Sequence, residues 1–360
     1  MGFLRSYIFS YQHKMTTQYL KYSTVLCICF ALVSSSQAGP DPFAFFGTSV
    51  SISPNERAQL DRGNPFARAL PTQGSEIAMV AAIPVNVSGD RLVAWERQVA
   101  QMKKEPSVLA VGRFSDPPRI EDLGSLELDN GDVAAIRACR PQNCEIKLAG
   151  AEMAQLKRAE AEAKSDPREA VQEAFRQIVL NRVQQYLATG QIPSDEDHRT
   201  TVQPSSRFAA LLEHTPFLED RVPELTAALR DFPSKPGPGV ESVLYWSKEH
   251  LARKSMISVT HESIVRYHDT GMPDTLVVAR DVFCSHYINA SLSVTALMRG
   301  AGSGPNYLVY LNRTELDVLH GVLAGLVKHS IEGRLKNATK VMTDLRERLE
   351  SGDPPQNPPG

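Results

Sequence analysis

The sequence predicts an α+β protein, an antiparallel sheet packed on a long C-terminal helix, with a mixed α/β N-terminal part and a helical middle. Three patterns predict it. Residues 256–311 hold successive β-prone runs separated by turn formers, the spacing of antiparallel strands. Residues 315–349 repeat apolar side chains from Leu319 to Leu349 every three to five positions, as one helix face does. Residues 149–187 are dense in good helix formers, with Pro167 placed for the first turn of a second helix.

Taken in order, residues 1–38 read as a cleaved export signal. Lys14 and Lys21 precede an apolar run from Val25 to Val33, and Ser36 and Ala38 occupy the −3 and −1 positions of a cleavage site. That run is far shorter than the ~20 residues that span a bilayer. Residues 39–150 form the N-terminal α/β region. Within it 39–55 is an extended lead-in and 56–62 a short helix. Residues 76–87 and 107–114 are strands, 90–103 is a helix, 120–128 is a weaker strand, and 132–138 is a short helix. Residues 151–231 are helical, with buried faces expected on 169–187, 206–213 and 223–231. The Pro- and Gly-rich stretch 232–239 reads as a hinge. In 240–350 the expectation is a helix at 241–251, strands at 256–267, 276–284, 286–298 and 307–311, and the final helix. That helix would run about 50 Å if unbroken. Residues 351–360, rich in Pro and Gly, read as a tail outside the core.

Charge excludes one class of partner. The chain carries 39 Lys and Arg against 41 Asp and Glu, and the leader removes cations only. A slightly acidic mature chain offers no basic stripe to nucleic acid. No apolar stretch after residue 38 approaches membrane-spanning length. The address is therefore periplasmic or extracellular, with contact to a membrane surface or an envelope protein left open.

Cysteine placement agrees with that address. Cys139-Arg-Pro-Gln-Asn-Cys144 brackets a turn, so two thiols meet across a tight loop and form a structural disulfide in an oxidising space. Four intervening residues is not the two-residue redox spacing, and no second Cys or His pair completes a zinc set. Cys284 is the odd thiol. Together with His286 it forms the one nucleophile-and-base pair in the sequence, two apart on a β-prone run and so expected on one strand face. Arg113, Asp116 and Arg119 surround a Pro-Pro turn, as an oxyanion clamp or as a turn-stabilising cluster. Trp95, Tyr245 and Trp246 read as core anchors. No cofactor motif and no metal-ligand spacing is present.

The run Asn306-Tyr-Leu-Val-Tyr-Leu-Asn312, then His320-Gly321 and the final helix, resembles the last strand, bend and helix of START-like helix-grip domains (the SRPBCC superfamily), over residues 240–350. That resemblance implies a sheet gripping the helix around an apolar cavity, with strands from 76–128 completing the sheet. Residues 112–123 (GRFSDPPRIEDL) and 240–251 (VESVLYWSKEHL) are similar to an uncharacterised family of exported bacterial proteins. On this reading Gly321 and Gly325 leave room along one helix face, and His261, His286 and Tyr287 are candidate ligand contacts. His261 reads first as a satisfied core histidine, since it shares a strand face with Ile257, Val259, Ser263 and Val265. The expected function is non-catalytic binding of a lipid or other apolar small molecule. The alternatives are an envelope interaction protein without ligand and a hydrolase using Cys284 and His286.

Overall fold

The computed structural model describes residues 41–197, 201–233, 239–251, 254–302, 304–317 and 336–352. Its frame is one eight-stranded sheet in the order β1-β2-β8-β7-β6-β5-β4-β3. Every neighbouring pair is antiparallel. The strands are β1 (Phe66–Ala69), β2 (Glu76–Val85), β3 (Val108–Arg113), β4 (Glu241–Leu251), β5 (Lys254–Arg266), β6 (Thr275–Cys284), β7 (Ile288–Met298) and β8 (Asn306–Leu316). The α-helices among the described residues are α1 (Pro54–Asp61), α2 (Gly89–Glu96), α3 (Val99–Met102), α4 (Asn130–Ile136), α5 (Gly150–Glu162), α6 (Pro167–Thr189), α7 (Pro204–Glu213), α8 (Pro216–Arg221), α9 (Pro223–Arg230) and α10 (Lys336–Ser351).

Helices cover both faces of the sheet. On one face α10 lays Ala338, Val341, Met342, Leu345 and Leu349 against Met79, Ala81, Ile83, Leu297 and Leu308. There α2 and α3 add Val93 and Val99 over Val243, Tyr245, Ile264 and Val277. On the opposite face α7, α8 and α9 pack over β2, β6, β7 and β8, while α5 and α6 pack over Trp246, Ile257, Val259 and Phe283. Both β6 and β7 are buried along their whole length on both sides, which explains why they read as long β-prone runs.

The helical middle forms where composition places it. The Asp166 carboxylate accepts from the Arg168 and Glu169 amides, and Pro167 fills the first turn of α6. At the other end of α6, Gly190 takes φ +71°, and a Cβ there would lie 1.6 Å from the Phe232 carbonyl oxygen. Only glycine closes that helix.

The structure corrects several expectations. Residues 241–251 form strand β4 rather than a helix, because pairing with β3 on one side and β5 on the other outweighs the helix-forming charges in the segment. Residues 120–128 are not a strand: Ile120–Leu123 make a 3-10 turn, and Leu123, Leu126 and Leu128 reach the core from it irregularly. The lead-in at 42–46 is a 3-10 helix that buries Phe43, Phe45 and Phe46. Glu315 does not start the last helix; β8 runs on to Leu316 and pairs with β2 along its length. His286 and Tyr287 lie in the β6–β7 turn, not on a strand. Of the expected C-terminal helix, residues 336–351 are helical, and residues 318–335, with Gly321 and Gly325, lie outside the described residues. The leader 1–38 and most of the tail lie outside them too.

Strands from both sides of residues 232–239 share the sheet: β1, β2 and β3 precede that stretch, and β4 to β8 follow it. The expected contribution from 76–128 is met by β2 and β3, and β1 is an addition.

Candidate functional site

Antiparallel register sets which side chains share a face. Under α10 the cross-strand row Glu262–Ala279–Ser293–Asn312–Met79 runs from β5 to β2. Beside it runs Ile264–Val277–Thr295–Tyr310–Ala81, and on the other flank Tyr245–Thr260–Asp281. All of these side chains are buried. The face is apolar at its β2 end, and across β4 to β8 polar side chains are interspersed with Val243, Ile264, Val277, Ala279, Leu297 and Leu308.

The polar part is joined by hydrogen bonds. The Tyr245 hydroxyl donates to Glu262 at 3.1 Å, and Thr260 donates to Asp281 at 3.0 Å. Ser247 donates to Glu249 at 2.7 Å and shares a 3.1 Å bond with Ser258. Lys103, from the end of α3, pairs with Glu249 and lies over the Tyr245 ring. Thr314 donates to Asn312 at 2.9 Å. Burial pushes the Glu96 carboxyl, reaching in from α2, up to about 8, and the nearby Glu262 charge adds to the rise. The Tyr245 phenol is likewise driven well above its ordinary value by burial and by the surrounding carboxylates. Burial thus favours the neutral form of the Glu96 carboxyl. None of these acids stood out in the sequence as a site residue. The available signal was the alternation Ser291, Ser293, Thr295 and Ser258, Thr260, Glu262, polar where the complementary positions are mostly aliphatic.

His286 and Tyr287 meet in a different place. A cleft of about 300 Å³ opens at the turn end of the sheet, lined by Cys144, Glu145, Asp197, Lys254, His286, Tyr287 and Asp317. His286 Nδ1 lies 2.8 Å from the Glu145 carbonyl oxygen and Nε2 lies 3.0 Å from Asp132. A carbonyl only accepts, so Nδ1 donates, and the ring satisfies both neighbours when doubly protonated. Behind this lining, buried Lys147 is bonded to Asn289 at 2.8 Å and lies 3.1 and 3.4 Å from the lining carboxylates Asp317 and Asp197. Tyr287 holds φ +62° and packs on the apolar cluster beneath α10.

His286 therefore spends both ring nitrogens on Glu145 and Asp132, and its hydrogen bonds give no support to the alternative nucleophile–base pair with Cys284. Cys139 and Cys144 lie at disulfide distance, with sulfurs 2.05 Å apart. His261 is buried on the opposite face, as its strand position implies, and shares a 2.7 Å hydrogen bond with the Tyr186 hydroxyl. Burial, aided by Arg280, lowers it to about 4, so the ring is neutral. A cavity of about 10 Å³ beside it has room for one water. Around the Pro-Pro turn the organiser is Asp122, whose carboxylate accepts from the Ser115 and Arg119 amides, rather than an arginine cluster. Trp95, Tyr245 and Trp246 are core residues.

Among the described residues no helix is long and apolar enough to cross a membrane, and no group of three His, Cys, Asp or Glu side chains is placed to hold a metal ion. No family model and no curated protein matches the sequence. Among solved structures the chain is similar to the di-domain ARO/CYC BexL from the BE-7585A biosynthetic pathway, with 10% identity over 79% of each chain and a TM-score of 0.23. A score that low does not establish a shared fold, and the reading below rests on the geometry alone.

Proposed function

We propose that the protein binds a small molecule with an apolar body and a few polar anchors on the α10 face of its sheet, without chemistry. One observation carries this reading. Both faces of the sheet are buried, yet β7 and β8 present Leu292, Val294, Ala296, Val309 and Leu311, with Arg313, to one side, and Ser291, Ser293, Thr295, Tyr310, Asn312 and Thr314, beside Leu297 and Leu308, to the other. A face built only for stability would repeat the aliphatic pattern, because hydrogen bonds merely offset the desolvation of buried polar groups. Rows of such groups beside an apolar wall, with a displaced carboxyl such as Glu96, are the arrangement that recognises a ligand. The apolar wall under α10 suits a lipid or similar body.

Export belongs to the same reading: the leader pattern and the Cys139–Cys144 pair both suit an oxidising compartment. N-terminal sequencing of protein recovered from a bacterial envelope should begin at Gly39; an intact leader would remove this part.

The binding test is native mass spectrometry before and after organic extraction. An extractable adduct is expected, and Asn312→Leu should lose it while keeping the wild-type circular dichroism. A clean apo mass, with no uptake of a fluorescent fatty acid, would sink the proposal in favour of an envelope interaction protein.

A further inference from the structure

The geometry points to a second binding site, in the cleft between the disulfide loop and the β6–β7 turn, for a small zwitterion of the amino-acid class. The cleft's volume, about 300 Å³, is at the lower end of ordinary ligand sites and on the scale of one amino acid. None of its lining residues belongs to the polar rows under α10, so the inference goes beyond the function proposed above.

Its floor and its rim behave differently. Beneath the cleft the buried Lys147 and His286 side chains are held by the contacts described above. Such a floor is organised before a ligand arrives. The rim is the ion pair of Lys254 with Glu145, whose side chains are 33% and 63% exposed, and Lys254 also lies 3.3 Å from the buried Asp132 carboxylate. Exposed pairs contribute little to stability, so the Lys254–Glu145 contact exchanges readily for ligand groups of the same charges. Lys254 then meets a carboxylate, and Glu145, with Asp317 behind it, meets an ammonium.

Charge decides the class. A simple anion entering the cleft meets Glu145 and Asp317, and a simple cation meets Lys254. A molecule carrying both charges finds a complement for each. The Tyr287 ring lines the same space and supplies a surface for an apolar or aromatic side chain.

The test is calorimetric titration of the full chain with the standard L-amino acids, and of the best binder's N-acetyl and amide forms. Saturable binding is expected with Kd below ~1 mM, and at least ~10-fold weaker binding of each blocked form. Lys254→Met should erase the preference for the free acid over its amide, and Glu145→Gln the preference for the free amine over its N-acetyl form. Both sites are partly exposed, and unchanged melting temperatures would exclude loss of fold. Asn312→Leu, on the α10 face, should leave these affinities untouched. Absence of saturable binding across the amino acids, equal binding of free and blocked forms, or unchanged preferences in the two variants would each overturn the assignment.

Discussion

Gly112 sits opposite Trp246 across the β3–β4 pair, and a Cβ there would lie 2.4 Å from the indole nitrogen. The indole is fully buried and donates to the Asp122 carbonyl, so it has nowhere to move. Gly112→Ala should destabilise the protein by about 2–3 kcal/mol, read from the urea midpoint. His261 makes a pH prediction. Its folded value of about 4 lies below the ordinary one near 6.5, so as pH falls the unfolded chain takes up the proton first. The stability it contributes is complete above pH 6.5 and drains away between about 6.5 and 4. With ~1.4 kcal/mol per pH unit the full loss is about 3 kcal/mol. Urea midpoints at pH 7 and 4.5 should diverge less for His261→Gln than for wild type; equal divergence would contradict the assignment. This residue's burial was legible in the sequence, because alternation along β5 placed it among Ile257, Val259 and Val265. His286 was not legible as a turn residue: nothing in Ser285-His286-Tyr287 announces a turn, and a tyrosine at φ +62° is a cost the surrounding structure imposes.

At the scale of elements, α6 shows how the helical middle is attached. Arg182 grips Glu152 of α5 through two bonds of 2.7 and 2.6 Å and reaches Asp195 at 3.2 Å. It also lies over the Phe283 ring of β6. The group is buried, so Arg182→Ala strands two carboxylates and should cost about 3–5 kcal/mol in a denaturant titration. Arg182→Lys restores the charge but not the paired donors, and should recover less than half of that loss. Helices of this kind were legible because a 3.6-residue period and proline starts survive any tertiary context. Strand β4 was not. Glu241, Lys248 and Glu249 read as helix surface, while the burial that makes it a strand comes from partners far away in sequence. Strand β1, Phe-Ala-Arg-Ala, is too short to carry a pattern, and it exists because β2 offers an open edge.

For the whole molecule, the antiparallel class of the sheet could be read from the turn-separated runs after residue 255, and its completion from within 76–128 followed from too few strands. The proposed functional difference between its two faces could not. Alternation reveals which residues share a side, but a sheet covered on both sides gives no sequence cue to which cover is core and which is site. Adjacent residues of β7 let stability separate the two. Val294 packs among Leu276, Val278, Leu292 and Leu311, and Val294→Ser should cost about 2–4 kcal/mol by lost burial and an added polar group. Ser293, one step along the chain and on the α10 face, contributes a hydroxyl that an aliphatic core would not need. Ser293→Ala should change stability by less than about 0.5 kcal/mol or raise it, while weakening the extractable adduct. If both substitutions unfold the protein to the same degree, the two faces are one structural core and the α10 face is not a binding surface.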